Sequence, residues 1–349
     1  MNAAAKTSGP AATEAASAAL APWLLAQQGS LLRQRGHAWL LHGPAGLGQW
    51  ELALALVRSW LCEADDAATA GACGHCASCH AIDIHTHADL LVLMPEVQLL
   101  ERGWPLPEKA QAEIDEKKRK PSKDIRVDAL RQAVEFCQRT SARGRGKAVL
   151  VYPAEAMNTI AANTLLKTLE EPVGNVRFVL ATEAAHQLLP TIRSRCLAHT
   201  MVWPALAAAQ AWLQVQGVPA DAAATALRAA GGSPEQALAL ARSPTGLRLA
   251  QQLPQWVREG DLTVLGTLAP QELLLWLHKL CHDLMCVAQG AAPRYFLPQD
   301  LPRPPALRVL LRWAQALAQA LRTAEHPFQP ALMVQALVVQ ARSVLHSKS

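Results

Sequence analysis

Gly43-Pro44-Ala45-Gly46-Leu47-Gly48-Gln49-Trp50 carries the frame of a phosphate-binding loop whose two chemical residues are replaced. Such a loop needs two glycines five apart, then a lysine, then a serine or threonine. The glycines let the backbone curl until its N–H groups face a phosphate. The lysine neutralises the β- and γ-phosphates, and the hydroxyl holds Mg²⁺. Here Gly43 and Gly48 keep the frame, with Gly46 inside it, while Gln49 stands for the lysine and Trp50 for the hydroxyl. The cradle survives, but an indole at the metal position hinders Mg²⁺–nucleotide binding. The loop predicts a nucleotide-hydrolysis fold that has lost its own hydrolysis, and so a subunit serving an active site elsewhere.

The flanks supply the setting that separates a real loop from a chance glycine-rich connection. Ala38 to His42 is a short apolar run suited to a buried strand, and Glu51 to Trp60 reads as a largely buried helix. Strand, turn, helix places the helix N-terminus, with its partial positive charge, at the phosphate. Further runs at Leu90–Met94, Lys147–Tyr152 and Val176–Thr182 predict three more strands, with helices over Asp124–Cys137 and Ala161–Leu169 between them. Strands alternating with helices indicate an α/β domain with a mainly parallel sheet. The third of these four strands is where an NTPase carries its Mg²⁺-holding carboxylate. The chain reads Tyr152-Pro153-Ala154-Glu155 there, with Pro153 and Ala154 in place of the acidic pair. Two catalytic elements are thus degraded independently.

Four of the eight cysteines fall at Cys62, Cys73, Cys76 and Cys79. The last three form C-x-x-C-x-x-C, and Gly71 and Gly74 give the backbone freedom that a small knuckle requires. In an intracellular chain this spacing favours tetrahedral thiolate ligation of a structural Zn²⁺ over disulfides. An iron–sulfur cluster is the competing metal, and free cysteines in a loop the bland reading. His75 and His80 sit beside the ligands as bystanders; Cys137, Cys196, Cys281 and Cys286 read as packing residues.

At 349 residues the chain has room for two or three domains, and 51% apolar against 17% charged residues makes it globular. A net charge of +5 permits contact with nucleic acid without arguing for it. The longest apolar stretch, Glu272 to Val287, is broken by Glu272, His278, Lys279, His282 and Asp283, which excludes a membrane span. The Ala-rich first twenty residues read as a frayed extension rather than a signal peptide, so a cytoplasmic location is expected. Pro95 to Lys123, with its basic run Lys117-Lys118-Arg119-Lys120, reads as a solvated, mobile insertion in preference to a phosphate contact.

Three further stretches carry a family resemblance. Asn163-Thr164-Leu165-Leu166-Lys167-Thr168-Leu169-Glu170-Glu171-Pro172, the strand ending Ala181-Thr182, and Ser194-Arg195-Cys196 resemble the bacterial clamp-loader AAA+ subunits, as does a four-Cys knuckle directly after the loop helix. The resemblance is specific over Pro22 to Trp203. The degraded loop places the chain with a non-hydrolysing subunit rather than the ATP-hydrolysing gamma/tau type. Such loaders are pentameric rings that open a sliding clamp and close it around primed DNA, using ATP at subunit junctions. The resemblance therefore implies gamma/tau and delta subunits as partners in a hetero-pentamer. It reaches the sliding clamp and primed DNA through the complex, and it implies no productively bound ATP in this chain. It also implies that Arg195 points across a junction at the γ-phosphate of the neighbouring site. A guanidinium suits that role, being always charged and presenting a rigid fork of donors. Arg193 is the neighbouring alternative, and a surface ion pair the bland one. Thr182 matches the position that senses γ-phosphate in active relatives, and here reads as a strand-end residue. Gly231 to Leu238 matches a helix start that carries a sensing arginine in active members, but Glu235 and Gln236 stand there, after a Ser233-Pro234 cap.

The expected organisation is an AAA+ domain with the zinc knuckle over 1–203, a small helical lid over 204–250 and an all-α collar over 251–349. Two other readings compete. An active AAA+ ATPase with an atypical phosphate loop predicts turnover by the isolated chain. A zinc-containing DNA-binding protein predicts a recognition helix or basic stripe, and neither is visible.

Overall fold

β1 (Ala38–His42) forms where expected and lies inside the sheet, because four of its five residues are buried apolar side chains. In the computed structural model, which describes residues 20–323 and 329–347, five strands run in the order β2-β3-β4-β1-β5. These are β2 (Leu90–Leu93), β3 (Lys147–Val151), β4 (Val176–Thr182) and β5 (Leu197–Thr200) beside β1, and every pairing is parallel. Covering both faces with helices requires continuous apolar strands, and β3 is buried at all five positions. β5 is different. Leu197, Ala198 and Thr200 are exposed, as befits an edge strand, and its short mixed sequence hid it from periodicity.

The helices of this unit are α1 (Pro22–Leu32), α2 (Gln49–Leu61), α3 (Ala67–Ala70), α4 (Ala77–Asp83), α5 (Glu96–Glu101), α6 (Glu108–Asp115), α7 (Val127–Gln138), α8 (Thr159–Glu170) and α9 (Pro190–Arg193). α2 packs on β1, β3 and β4 through Leu52, Ala53, Leu56 and Val57, each fully buried. α7 and α8 cover the opposite side of the domain core with Leu130, Ala133, Leu165 and Leu169, around Val149 and Phe178 of the sheet. Asn158 caps α8 by accepting the N–H of Ala161 at 2.9 Å.

The insertion corrects the sequence reading. Pro95 to Lys123 is only partly a solvated stretch: it forms α5 and α6 and buries Leu99, Trp104 and Ala110, while Lys117, Lys118 and Lys120 of its basic run are exposed. Its basic run is partly neutralised, because Arg119 Nε donates to Glu113 at 2.7 Å and Nη2 donates to Glu96 at 2.8 Å. An apolar Trp104 among charges was the overlooked signal. The expected N-terminal extension falls on residues 1–19, outside the described residues.

From Trp203 onward the chain forms a second compact unit of helices. α10 (Leu206–Val215), α11 (Ala220–Ala229) and α12 (Pro234–Arg242) share a small core of Leu213, Ala223, Leu227 and Ala237. Ser233 caps α12, accepting the N–H of Gln236, with Pro234 in the first turn. α13 (Gly246–Glu259), not anticipated as one helix, runs continuously through residue 250. After the short α14 (Leu262–Leu265), α15 (Pro270–Ala288), α16 (Leu307–Thr323) and α17 (Pro330–Leu345) build a larger core around Leu277, Leu280, Trp313 and Leu337. Asp283, one of the charges that interrupt the apolar stretch, is fully buried; it accepts the backbone N–H groups of Arg294, Tyr295 and Phe296 at 2.7–2.9 Å. Among the described residues no helix is long and apolar enough to cross a membrane.

Candidate functional site

The candidate phosphate loop leaves β1 at His42 and enters α2 at Gln49. Gly43 is tightly enclosed: a Cβ there would lie 3.0 Å from the Met201 carbonyl and 3.0 Å from Leu47, so its neighbours would have to give way. Gly48 sits at φ 85° as the N-cap of α2, a left-handed conformation that a Cβ disfavours. Gly46 is also left-handed, at φ 83°. Gln49 is 2% exposed, and its carboxamide donates to the carbonyls of Gly43 at 3.1 Å and Pro44 at 2.7 Å. The side chain at the lysine position is therefore spent on the loop's own backbone and carries no charge for a phosphate.

Trp50 turns into an aromatic cluster that sequence reasoning missed. Its ring meets Trp104 edge-on at 6.0 Å and Tyr152 at 5.7 Å, and Arg102 lies 5.0 Å over it. Arg102 also faces Tyr152 at 5.4 Å, while His85 stacks on Trp104 at 4.0 Å. Trp104 and Arg102 come from the insertion, which thus covers the first turn of α2. Burial pushes the Tyr152 hydroxyl above its ordinary range. Burial, followed by the charge of Glu155, also raises the Glu183 carboxyl. Glu155, displaced from the acidic pair, accepts the backbone N–H of Glu183 at 3.1 Å, a structural task. Thr182 is likewise occupied: its fully buried hydroxyl accepts the N–H of Ala184 at 3.1 Å.

Arg195 lies beyond α9, at the surface near the C-terminal end of α8. Its Nη1 donates to the Thr191 carbonyl at 3.1 Å, and its Nη2 contacts both Glu170 carboxylate oxygens at 3.2 Å. Its Nε is buried without a partner among the described residues. The side chain is 30% exposed, against 58% for Glu170, so the guanidinium is ordered yet reachable. Arg193 borders a separate hollow of about 520 Å³, walled by Leu40, Pro190 and Ala198.

The four cysteines converge from the end of α2 and the start of α4, with all four Sγ atoms within 4.8 Å of one another. Cys62 and Cys76 Sγ stand 3.8 Å apart, which matches the roughly 3.8 Å edge of a tetrahedron with bonds of about 2.3 Å. The backbone N–H groups of Cys73, Cys76 and Cys79 each donate to a cysteine sulfur at 3.4 Å, the donors that thiolates require. Burial opposes ionisation of Cys76, but backbone N–H donors outweigh it and bring its thiol down to about 6. Burial pushes Cys79 up to about 12, a cost that a bound cation would remove. The donor set fits a metal ion. A polar network braces it: Ser78 donates to Glu63 at 3.0 Å, and Arg143 donates to the same carboxylate at 2.6 Å. Asp89 accepts the N–H groups of Ala142 and Arg143 at 2.8 and 2.9 Å, tying this loop to β2.

Comparison with known proteins agrees with this architecture. The family model described as DNA polymerase III, delta subunit, matches residues 27–202. The DNA polymerase III delta-prime subunit of Pseudomonas aeruginosa is 41% identical over 203 residues, 58% of this chain; the match spans about half, 54%, of that relative. The delta-prime subunit of Escherichia coli K12 is 33% identical over 284 residues, covering 78% of both chains. The tau subunit of the same organism is 33% identical over 161 residues, 46% of this chain and 21% of tau. With a family model over half its length and a relative matched across most of both chains, this chain belongs to the delta-prime family of DNA polymerase III subunits.

Proposed function

We propose that this chain is the non-hydrolysing member of the clamp loader. It supplies Arg195 in trans to the ATP site of a gamma/tau neighbour while the ring, with delta, loads a sliding clamp onto primed DNA. The observation that carries the reading is the pair of hydrogen bonds from Gln49 to Gly43 and Pro44, backed by Trp50. Phosphoryl transfer depends on charge compensation, and a neutral amide turned onto the loop backbone offers none. The guanidinium of Arg195, by contrast, is fixed, permanently charged and partly exposed. Supplied across a junction, it ties hydrolysis to ring assembly.

The remaining parts follow the same logic. Gly43, Gly46, Gly48, Gln49 and Trp50 form a degenerate nucleotide loop that holds no ATP productively. Cys62, Cys73, Cys76 and Cys79 hold a structural Zn²⁺, a redox-inert cross-link between α2 and α4. Residues 204–250 serve as a lid and 251–349 as the collar of a cytoplasmic hetero-pentamer, with α13 shared between them.

The test is ATP turnover with purified components. The isolated chain is expected to be inactive, and omitting it from gamma/tau, delta, clamp and primed DNA is expected to abolish clamp-stimulated turnover. Hydrolysis by the isolated chain, or full stimulation without it, would sink the proposal.

A further inference from the structure

α8 ends by delivering a carboxylate to the guanidinium of Arg195. Glu170 is the last residue of α8, and both its oxygens lie 3.2 Å from Arg195 Nη2. Helix stability does not explain this residue. A negative charge in the last turn faces the negative end of the helix dipole and is unfavourable there unless a cation meets it. The cation is Arg195, twenty-five positions away in sequence. A second anchor, the Thr191 carbonyl, holds Nη1 at 3.1 Å, and Nε is packed inside. The arginine side chain is long and flexible, so these contacts choose one of its many directions.

We infer that Glu170 is a positioning residue for Arg195, holding the guanidinium so that its remaining N–H groups meet a neighbouring subunit's phosphate already ordered. The inference rests on the reading of Arg195 as the trans-acting group. The ion pair is exposed enough to be weak as a source of stability, which leaves orientation as its consequence. Of the five N–H donors of a guanidinium, the Nε–H is buried, Nη1 gives one to Thr191 and Nη2 faces Glu170, which leaves the outer side of the terminal nitrogens for an anion. Pre-ordering then acts on the rate of the step that needs the charge in place, not on nucleotide affinity in a site Glu170 does not touch.

The experiment is a double-mutant cycle in the reconstituted loader with clamp and primed DNA, reading initial ATPase rates against ATP concentration. Gel filtration confirms equal assembly of every variant. Glu170→Ala is expected to lower kcat on the order of threefold to tenfold, the scale of coupling between contacting residues, with KM unchanged. Glu170→Gln, which keeps the shape and an acceptor without the charge, should fall between it and the wild type. In an Arg195→Ala background, Glu170→Ala should cause no further loss. Slow Arg195→Ala turnover with wild-type or faster Glu170 variants would overturn the positioning role alone, faster rates marking the carboxylate as a competitor of the phosphate. An equal loss in the Arg195→Ala background would overturn it too, as a purely structural effect. Unchanged turnover in Arg195→Ala would remove the finger and this inference with it.

Discussion

At the scale of single residues, the loop is altered by substitutions that are structurally complete rather than merely absent. Gln49 satisfies two backbone carbonyls that a charged lysine would otherwise approach, and Trp50 builds a packed cluster in place of a hydroxyl. Trp104, 9% exposed, closes that cluster from the insertion. Its truncation to alanine removes a large buried side chain and leaves a cavity against Trp50. Trp104→Ala is therefore expected to cost about 3 kcal/mol, the range for buried aromatic truncations, measured by urea unfolding of the isolated chain. A cost below about 0.5 kcal/mol would show that the insertion does not brace the loop. The replacements at Gln49 and Trp50 were legible in sequence because a fixed motif says which residue types the chemistry needs. The cover over them was not, since nothing in the spacing of Arg102 and Trp104 says that the insertion folds back onto α2.

Among elements, charge pairing adds to the apolar anchors of the insertion, and the knuckle brings together four cysteines that could hold a metal ion. In the insertion, hydrogen bonds from Arg119 hold the Glu96 carboxyl below its ordinary range, against the opposing effect of burial. A depressed folded-state pKa means the stabilisation is complete above the unfolded value, near about 4.3, and fades as pH falls through the lower folded value. The stability difference between wild type and Glu96→Gln should be about 2 kcal/mol at pH 7 and shrink towards zero well below pH 4. A difference that grows on acidification would contradict the assignment. The knuckle is the second case: its own buried cluster comprises only Cys62, Ala67 and Cys79, too little apolar surface to fold by itself. Stripping the metal at low pH with a chelator should lower the melting temperature and release one zinc per chain. Cys76→Ser should reproduce the loss without chelator. Elemental analysis and thermal melts check both, and an unaltered melt would leave the cysteines without a structural metal. The four-Cys spacing made the convergence of the cysteines readable from sequence, whereas its bracing by Asp89 and Arg143 joins residues more than fifty positions apart, beyond what spacing conveys.

For the whole molecule, the α/β rhythm of the first unit was readable because its internal parallel strands are predominantly apolar runs, Lys147 and Arg177 apart. The exposed edge strand β5 and the continuity of α13 were not, one being too polar and the other straddling an expected boundary. The division of labour we propose has a chain without a charged residue at the Gln49 position present a cation to another subunit's nucleotide. Arg195→Ala tests it most directly, in steady-state ATPase of the fully reconstituted loader with clamp and primed DNA, after gel filtration shows intact rings. The account predicts a fall in turnover of at least tenfold at the junction this chain serves, since trans-acting arginines contribute about a thousandfold or more to kcat. Wild-type turnover at that junction in an intact complex would contradict it and leave the chain a structural member of the ring.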